Sequence, residues 1–315
     1  MQRIDDSSVR QVRELTLTIN LLRQTLTTRY PTTSLPQRVT FAAMKTFDKV
    51  QEAVQFLQPH NKKNATTGVV LGSGLGNFVQ ELVVDSEIPY REIPHFPVST
   101  VEGHSGKLIF GHIAGKDIIA MAGRFHFYEG YSPEDVAFPI RVLKFLGVEH
   151  LLVSNAAGGV NTSFKVGDLM IINDHISFAT INPLLGNNDE RFGPRFPDMS
   201  EPYRKELIAK AKEIAAKEGI TVKEGVYFGV TGPTFETRAE YKTVQVLGGD
   251  AVGMSTVQEV IAAVHMGMRV FAMSVITDIG IREEENKITH EEVLQAAKEA
   301  EPKFSTIFRE LIRNL

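Results

Sequence analysis

The densest run of chemically useful side chains is Ala122-Gly123-Arg124-Phe125-His126-Phe127-Tyr128-Glu129-Gly130-Tyr131. Arg124, His126 and Tyr128 are spaced by two, so in an extended segment they share one face. An arginine offers a forked donor that matches phosphate, a histidine adds a donor, and a tyrosine gives a flat wall with a hydroxyl tip. A half-buried strand with a polar outer face would show the same alternation.

A second stretch, Gly68-Val69-Val70-Leu71-Gly72-Ser73-Gly74-Leu75-Gly76-Asn77-Phe78, passes from an apolar strand into a glycine-rich turn. Glycine tolerates positive φ and adds no side chain, so such a turn aims backbone N–H groups at an anion, with the Ser73 hydroxyl at its tip. The expectation is a strand, a phosphate-sized nest and then a helix N-terminus. Asn77 breaks the G-x-G-x-x-G pattern. Asp85 and Glu87 come too early, and Glu92 sits in a turn, to be the acidic partner a dinucleotide fold wants ~20 residues on. A tight turn without ligand stays open.

Further clusters follow predicted strands, where α/β sheets hold ligands. Val98-Ser99-Thr100-Val101-Glu102-Gly103-His104-Ser105-Gly106 is a loop with His104 between glycines. Ser154-Asn155-Ala156-Ala157-Gly158-Gly159 is small enough for backbone to approach a flat ligand. Thr231-Gly232-Pro233-Thr234-Phe235-Glu236-Thr237 pairs an aromatic with a carboxylate before a helix, where Glu236 also fits as a dipole partner. Asp250-Ala251-Val252-Gly253-Met254-Ser255-Thr256 brings a Met-Ser step to a helix start, where Ser255 also fits as an N-cap. Together these suit a ligand with a phosphate and a flat heteroaromatic part.

The elements that must position these groups alternate. Phe47–Leu57 has helical spacing; Lys107–His112 and Asp117–Ala122 read as a hairpin; Pro133–Leu146, Glu201–Glu218, Arg238–Leu247 and Thr256–Met266 read as helices. Strands are expected at His150–Ser154, Asp168–Ile172, Gly225–Val230, Asp250–Gly253 and Arg269–Thr277, and a last helix from His290. The fold class is α/β: a single-domain layered fold with a mixed, mainly parallel central sheet flanked by helices. At 315 residues the chain can bury a large core. Its net charge of −4 argues against a broad nucleic-acid or membrane surface. Without cysteine there is no disulfide, thiolate nucleophile or cysteine-ligated metal, which fits a cytoplasmic protein. No apolar run reaches the ~18 residues of a membrane helix.

In this order the blocks GSGLG, STVEGHSG, GRFHFYEGY, SNAAGG, NPLLGNNDERFGPRFPDMS, GPTFE, DAVGMST and HEEV resemble the low-molecular-weight, trimeric purine nucleoside phosphorylases, from Phe47 to the C-terminus. The resemblance implies reversible phosphorolysis of purine nucleosides to free base and ribose 1-phosphate. Phosphate is then a co-substrate, with no cofactor and no metal. It assigns phosphate binding to Ser73, His104, Arg124, His126, Ser255 and the Ala156 backbone. Tyr128, Met254 and His290 would hold the ribose, with Phe196 crossing from a neighbouring subunit of a homotrimer. Phe235, Glu236, Val252, Asp278 and the Ala156 backbone would hold the base; His126, Glu236 and Asp278 are the catalytic candidates. Where Asp278 stands, the 6-oxopurine enzymes usually have asparagine. An ionised aspartate suits an adenine amino group, whereas an ionised Glu236 suits the N1–H of hypoxanthine and guanine. A methylthioadenosine phosphorylase is the alternative, favoured by Asp278 and opposed by Glu236 and His290.

Residues 1–43 are rich in Thr, Gln and Arg and lack the uninterrupted apolar core of a signal peptide, so they read as a poorly ordered extension before a domain spanning 44–315. A chain beginning at Met44 is expected to keep full activity; a large loss in a side-by-side assay would overturn this.

Overall fold

The sheet is centred on β1 (Thr67–Leu71), which is buried at every residue and lies parallel to both neighbours, β4 (Lys116–Ala122) and β5 (His150–Gly159). Its unbroken apolar run is what a strand covered on both faces requires. The structure, a computed structural model, describes residues 44–100, 105–281 and 288–315. The expected extension, 1–43, lies outside them.

On one side β4 pairs with β3 (Lys107–Ile113) through a turn at Ala114-Gly115, both at positive φ, as the hairpin pattern predicts. β2 (Val83–Pro89) then forms an edge that the sequence pattern does not announce, because Val83 and Val84 stay exposed. On the other side the order runs β5, β8 (Ala251–Gly253), β7 (Val222–Gly229), β6 (Leu169–Ile176) and β9 (Arg269–Ile279). β9 also bonds back to β5, so these five strands close on themselves. The sheet is mixed: among the described residues five strand pairings are parallel and four antiparallel.

Helices cover it. α1 (Thr46–Leu57) buries Val50, Ala53, Val54 and Leu57 as one stripe. α2 (Pro133–Phe145) starts on a capping box between Ser132 and Asp135, with proline at N1. α3 (Lys205–Lys217) starts four residues later than expected, because the Arg204 N–H is committed to the Val270 carbonyl of β9. α4 (Arg238–Val246) is capped by Thr237 and Glu240; α5 (Val257–His265) is almost wholly buried. α6 (His290–Arg313) opens on a Thr289–Glu292 capping box and buries Phe304, Ile307, Phe308, Leu311 and Ile312. Among the described residues no helix is long and apolar enough to cross a membrane.

Two local expectations change. The strand expected to end at Ser154 continues to Gly159 as the second half of β5: Gly158 and Gly159 pair with Val252 and Ala251 on one side and with Asp278 and Ile279 on the other. The glycine turn after β1 leads into a short 3-10 segment, Gly76–Glu81, and not into an α-helix. The buried Glu301 of α6 takes the Phe78 N–H at 3.1 Å and the Asn77 amide at 2.8 Å. The donors at Asn77 and Phe78 are thus committed to an internal carboxylate.

Candidate functional site

The loops after β1, β4, β7 and β8, the end of β9 and the start of α6 converge on the second half of β5, around a cavity of about 500 Å³. It is lined by Ser73, Arg124, His126, Tyr128, Ala156, Phe235, Glu236, Val252, Met254, Ser255, Asp278 and His290, all singled out from the sequence. Two expected residues are not among them. His104 lies outside the described residues. Phe196 is 87% exposed and lines a different groove with Leu184, Leu185, Arg195, Pro197 and Met199.

One end of the cavity is built to donate hydrogen bonds. Arg124 leaves the end of β4 and is only 1% exposed. Its Nε donates to Glu259 Oε1 at 3.0 Å, and a terminal nitrogen lies 2.9 Å from Oε2. The other terminal nitrogen donates to the Ser154 carbonyl at 2.5 Å and stands 3.4 Å from Ser255 Oγ. Glu259, on α5, is equally buried, so the pair satisfies a charge that neither partner could bear alone. Ser255 is not the N-cap of α5. That position belongs to Thr256, held at φ 72° with Asn155 Nδ2 donating to its hydroxyl at 2.9 Å. A β-branched residue at positive φ is strained, and such strain gathers at functional sites.

The chain is extended at His126 but turns into a 3-10 segment at Phe127–Glu129, so Tyr128 does not share a strand face with Arg124. The Tyr128 ring instead stacks on His126, with centroids 4.7 Å apart and planes 15° apart. Burial, reinforced by the Glu129 charge, pushes the Tyr128 hydroxyl up to about 12, so it stays protonated at neutral pH. Tyr128 and Met254 close on Gly232, where an added β-carbon would stand 3.0 Å from the tyrosine ring and 2.5 Å from the methionine sulfur.

Glu129 ties this wall to Thr100. Its Oε1 takes the His126 N–H at 2.8 Å and lies 3.0 Å from His126 Nδ1. Its Oε2 takes the Thr100 N–H at 2.8 Å and hydroxyl at 2.6 Å. Burial works against the carboxylate, but the donors from His126 and Thr100 outweigh it and hold the group at about 2.

The opposite end is acidic. Glu236 sits just before α4 and Asp278 near the end of β9. Burial, then the charge of Asp278, pushes the Glu236 carboxyl upward. Phe235 and Val252 flank them. Reading the sequence missed Glu129, Glu259, Tyr241 and Thr277. Glu129 carried a signal, three residues after His126 at capping-box spacing. So did Glu259, a carboxylate inside the apolar run of α5. Such a cavity can hold an oxyanion at one end and a polar heterocycle at the other, with stacking side chains between.

Residues 66–313 match the family model described as Phosphorylase superfamily. The chain is 49% identical over 266 residues to purine nucleoside phosphorylase 1 of Geobacillus stearothermophilus, covering 84% of this chain and 97% of that protein. Among solved structures it is similar to Schistosoma mansoni purine nucleoside phosphorylase in complex with adenosine, at a TM-score of 0.81 and 41% identity, covering 86% of this chain and 99% of that one. Isoform 2 from the same organism, in complex with cytosine and ribose-1-phosphate, gives a TM-score of 0.80 and 42% identity, covering 85% and 97%.

The Glu129 contacts make a stability prediction. The folded-state value of about 2 lies below the ordinary 4.5, so ionised Glu129 stabilises the fold above about pH 4.5 and this fades as pH falls toward 2. Glu129→Gln is expected to melt roughly 2–5 °C lower than the parent at pH 7, with a smaller gap at pH 3. An equal gap at both pH values would show that the charge is irrelevant.

Proposed function

The chain belongs to the phosphorylase superfamily, among its purine nucleoside phosphorylases, and on that premise we propose how its cavity performs phosphorolysis. Phosphate lies at the donor end, against Ser73, Arg124, His126, Ser255 and the Ala156 backbone. The ribose sits between Tyr128 and Met254, and His290 reaches its 5′-hydroxyl. Phe235 and Val252 flank the purine, and Glu236 and Asp278 meet its polar edge.

The glycosidic C1′–N9 bond breaks ahead of strong attack, so positive charge develops on the sugar as in other glycosyl transfers. A phosphate oxygen held beneath C1′ stabilises that charge and then bonds to it. The electron pair leaves with the purine, which must be hydrogen-bonded or protonated as it departs. Nucleophile and cation attract each other, so the work of the site is positioning. Phosphate serves as co-substrate, and no further cofactor enters the reaction. A cysteine-free chain suits a cytoplasmic setting.

The observation that carries this reading is the polarity of one cavity. Arg124, His126 and Ser255 stand at one end, and Glu236 and Asp278 at the other. The substrates are 6-oxopurine nucleosides such as inosine and guanosine, with adenosine less excluded than is usual because Asp278 can accept from its amino group. The methylthioadenosine alternative is not favoured: the relatives described above are purine nucleoside phosphorylases, and a methylthio group gives His290 nothing to bond. The test is a panel of inosine, guanosine, adenosine and methylthioadenosine, with and without phosphate. Inosine and guanosine cleavage that requires phosphate is expected, with slower cleavage of adenosine. Cleavage independent of phosphate, or of methylthioadenosine alone, would overturn the reading.

The enzyme is a homotrimer in this reading, and Phe196 covers the ribose of a neighbouring subunit. Its exposure, beside Leu184, Leu185 and Met199, supports a covered surface. Light scattering of the active protein is expected to give three subunits; a fully active monomer would contradict it.

A further inference from the structure

A residue that the sequence did not mark holds the acidic end together. Tyr241 lies on α4, is 3% exposed, and lines the cavity. Its hydroxyl donates to Asp278 Oδ2 at 3.3 Å. On the other carboxylate oxygen, Asp278 Oδ1 lies 3.2 Å from the Thr277 hydroxyl. Glu236 lines the same cavity, and the charges of Asp278 and Glu236 both push the Tyr241 hydroxyl upward, behind burial as the main cause. The phenolic proton thus goes to the buried carboxylate of Asp278.

The backbone is shaped around this pair. A β-carbon at Gly280 would stand 2.1–2.4 Å from Tyr241 ring atoms, so the ring lies against bare backbone. A β-carbon at Gly158 would stand 2.9 Å from Asp278 Oδ2 and 3.4 Å from the Tyr241 hydroxyl. Both glycines therefore give up a side chain to seat the phenol and the carboxylate in contact.

An aspartate that is only 7% exposed needs donors to remain ionised. An ionised Asp278 can only accept, and the exocyclic amino group of a 6-aminopurine is a donor. A protonated Asp278 would instead donate, which suits a 6-oxo group. We propose that Tyr241 is the positioning residue that sets base selectivity: its hydroxyl holds Asp278 as an ionised acceptor and thereby admits 6-aminopurine nucleosides beside the 6-oxo ones. Glu236 complements it. Burial and the neighbouring Asp278 charge favour its protonated form, and a protonated Glu236 donates to the bare N1 of a 6-aminopurine. With a 6-oxopurine bound, the proton moves from Glu236 to Asp278, and Glu236 accepts the N1–H. The total number of protons in the site is unchanged.

This rests on the nucleoside phosphorylase reading, and its test separates the two. Tyr241→Phe keeps the ring on Gly280 and removes only the donor. It is expected to lower kcat/KM for adenosine roughly tenfold more than for inosine, the loss of one hydrogen bond to a charged group. In an Asp278→Asn background, where there is no carboxylate to hold ionised, the same change should leave the adenosine-to-inosine ratio within about twofold. Calorimetric binding of adenine and hypoxanthine to parent and Tyr241→Phe should show the same selective loss of adenine. Equal losses for both bases, a shift toward adenosine, or a ratio change that persists in the Asp278→Asn background would overturn the proposal. If the parent cleaves no nucleoside with phosphate, the functional reading fails, and the two base affinities still decide the role of Tyr241; failure of either base to bind the parent would overturn it as well.

Discussion

The site depends on a buried charge that its own protein neutralises. Arg124 leaves β4 with its guanidinium in the interior, and Glu259 of α5 meets it with both oxygens. Desolvating either group alone would cost several kcal/mol. The pair fixes the guanidinium plane, and with it the edge turned toward Ser154 and Ser255. It also changes what the cradle offers. Because Glu259 cancels the net charge locally, what the donor end can offer an oxyanion is directed N–H and O–H groups rather than an isolated cation. The same logic appears after the glycine turn, where Glu301 takes the Phe78 N–H and the Asn77 side-chain amide.

Close backbone approach is the second constraint. A β-carbon at Gly72 would stand 2.7 Å from the Ser154 carbonyl oxygen, so the turn after β1 rests directly on β5. The Ser154 hydroxyl stitches the two together, taking the Gly72 N–H at 3.1 Å and donating to the Val70 carbonyl at 3.0 Å. At the other end of the cavity Gly158 lets Asp278 and Tyr241 lie against the same strand. β5 is therefore a common floor, and the separation of the donor end from the acidic end is set by its length. Backbone strain at this floor sits at Thr256, which Asn155 of the same strand restrains.

The two ends tolerate proton changes differently. Glu129 is held ionised by four hydrogen-bonding contacts, so the acceptor it offers to His126 and Thr100 does not change with its own titration in the neutral range. Glu236 is pushed the other way by burial and by a like charge. A firm donor end and an adjustable acidic end suit a reaction whose nucleophile is always the same and whose leaving base varies.

Much of this was legible in the residues. The apolar run of β1, the Ala114-Gly115 hairpin and the helical stripes are local patterns, and local sterics and periodicity decide them. Most of the cavity lining was legible too, because residues such as Arg124, His126, Glu236 and Ser255 cluster in short blocks after strands. What the chain alone could not decide was pairing across distance. Glu259 meets Arg124 across 135 positions, Glu301 meets Phe78 across 223, and Tyr241 meets Asp278 across 37. A carboxylate or phenol in a helix reads as a solvated polar residue until packing removes its water, and only the tertiary fold determines which partner replaces that water. That is why the sequence identified an anion-and-heterocycle pocket, and why the electrostatic state of its side chains became visible only in three dimensions.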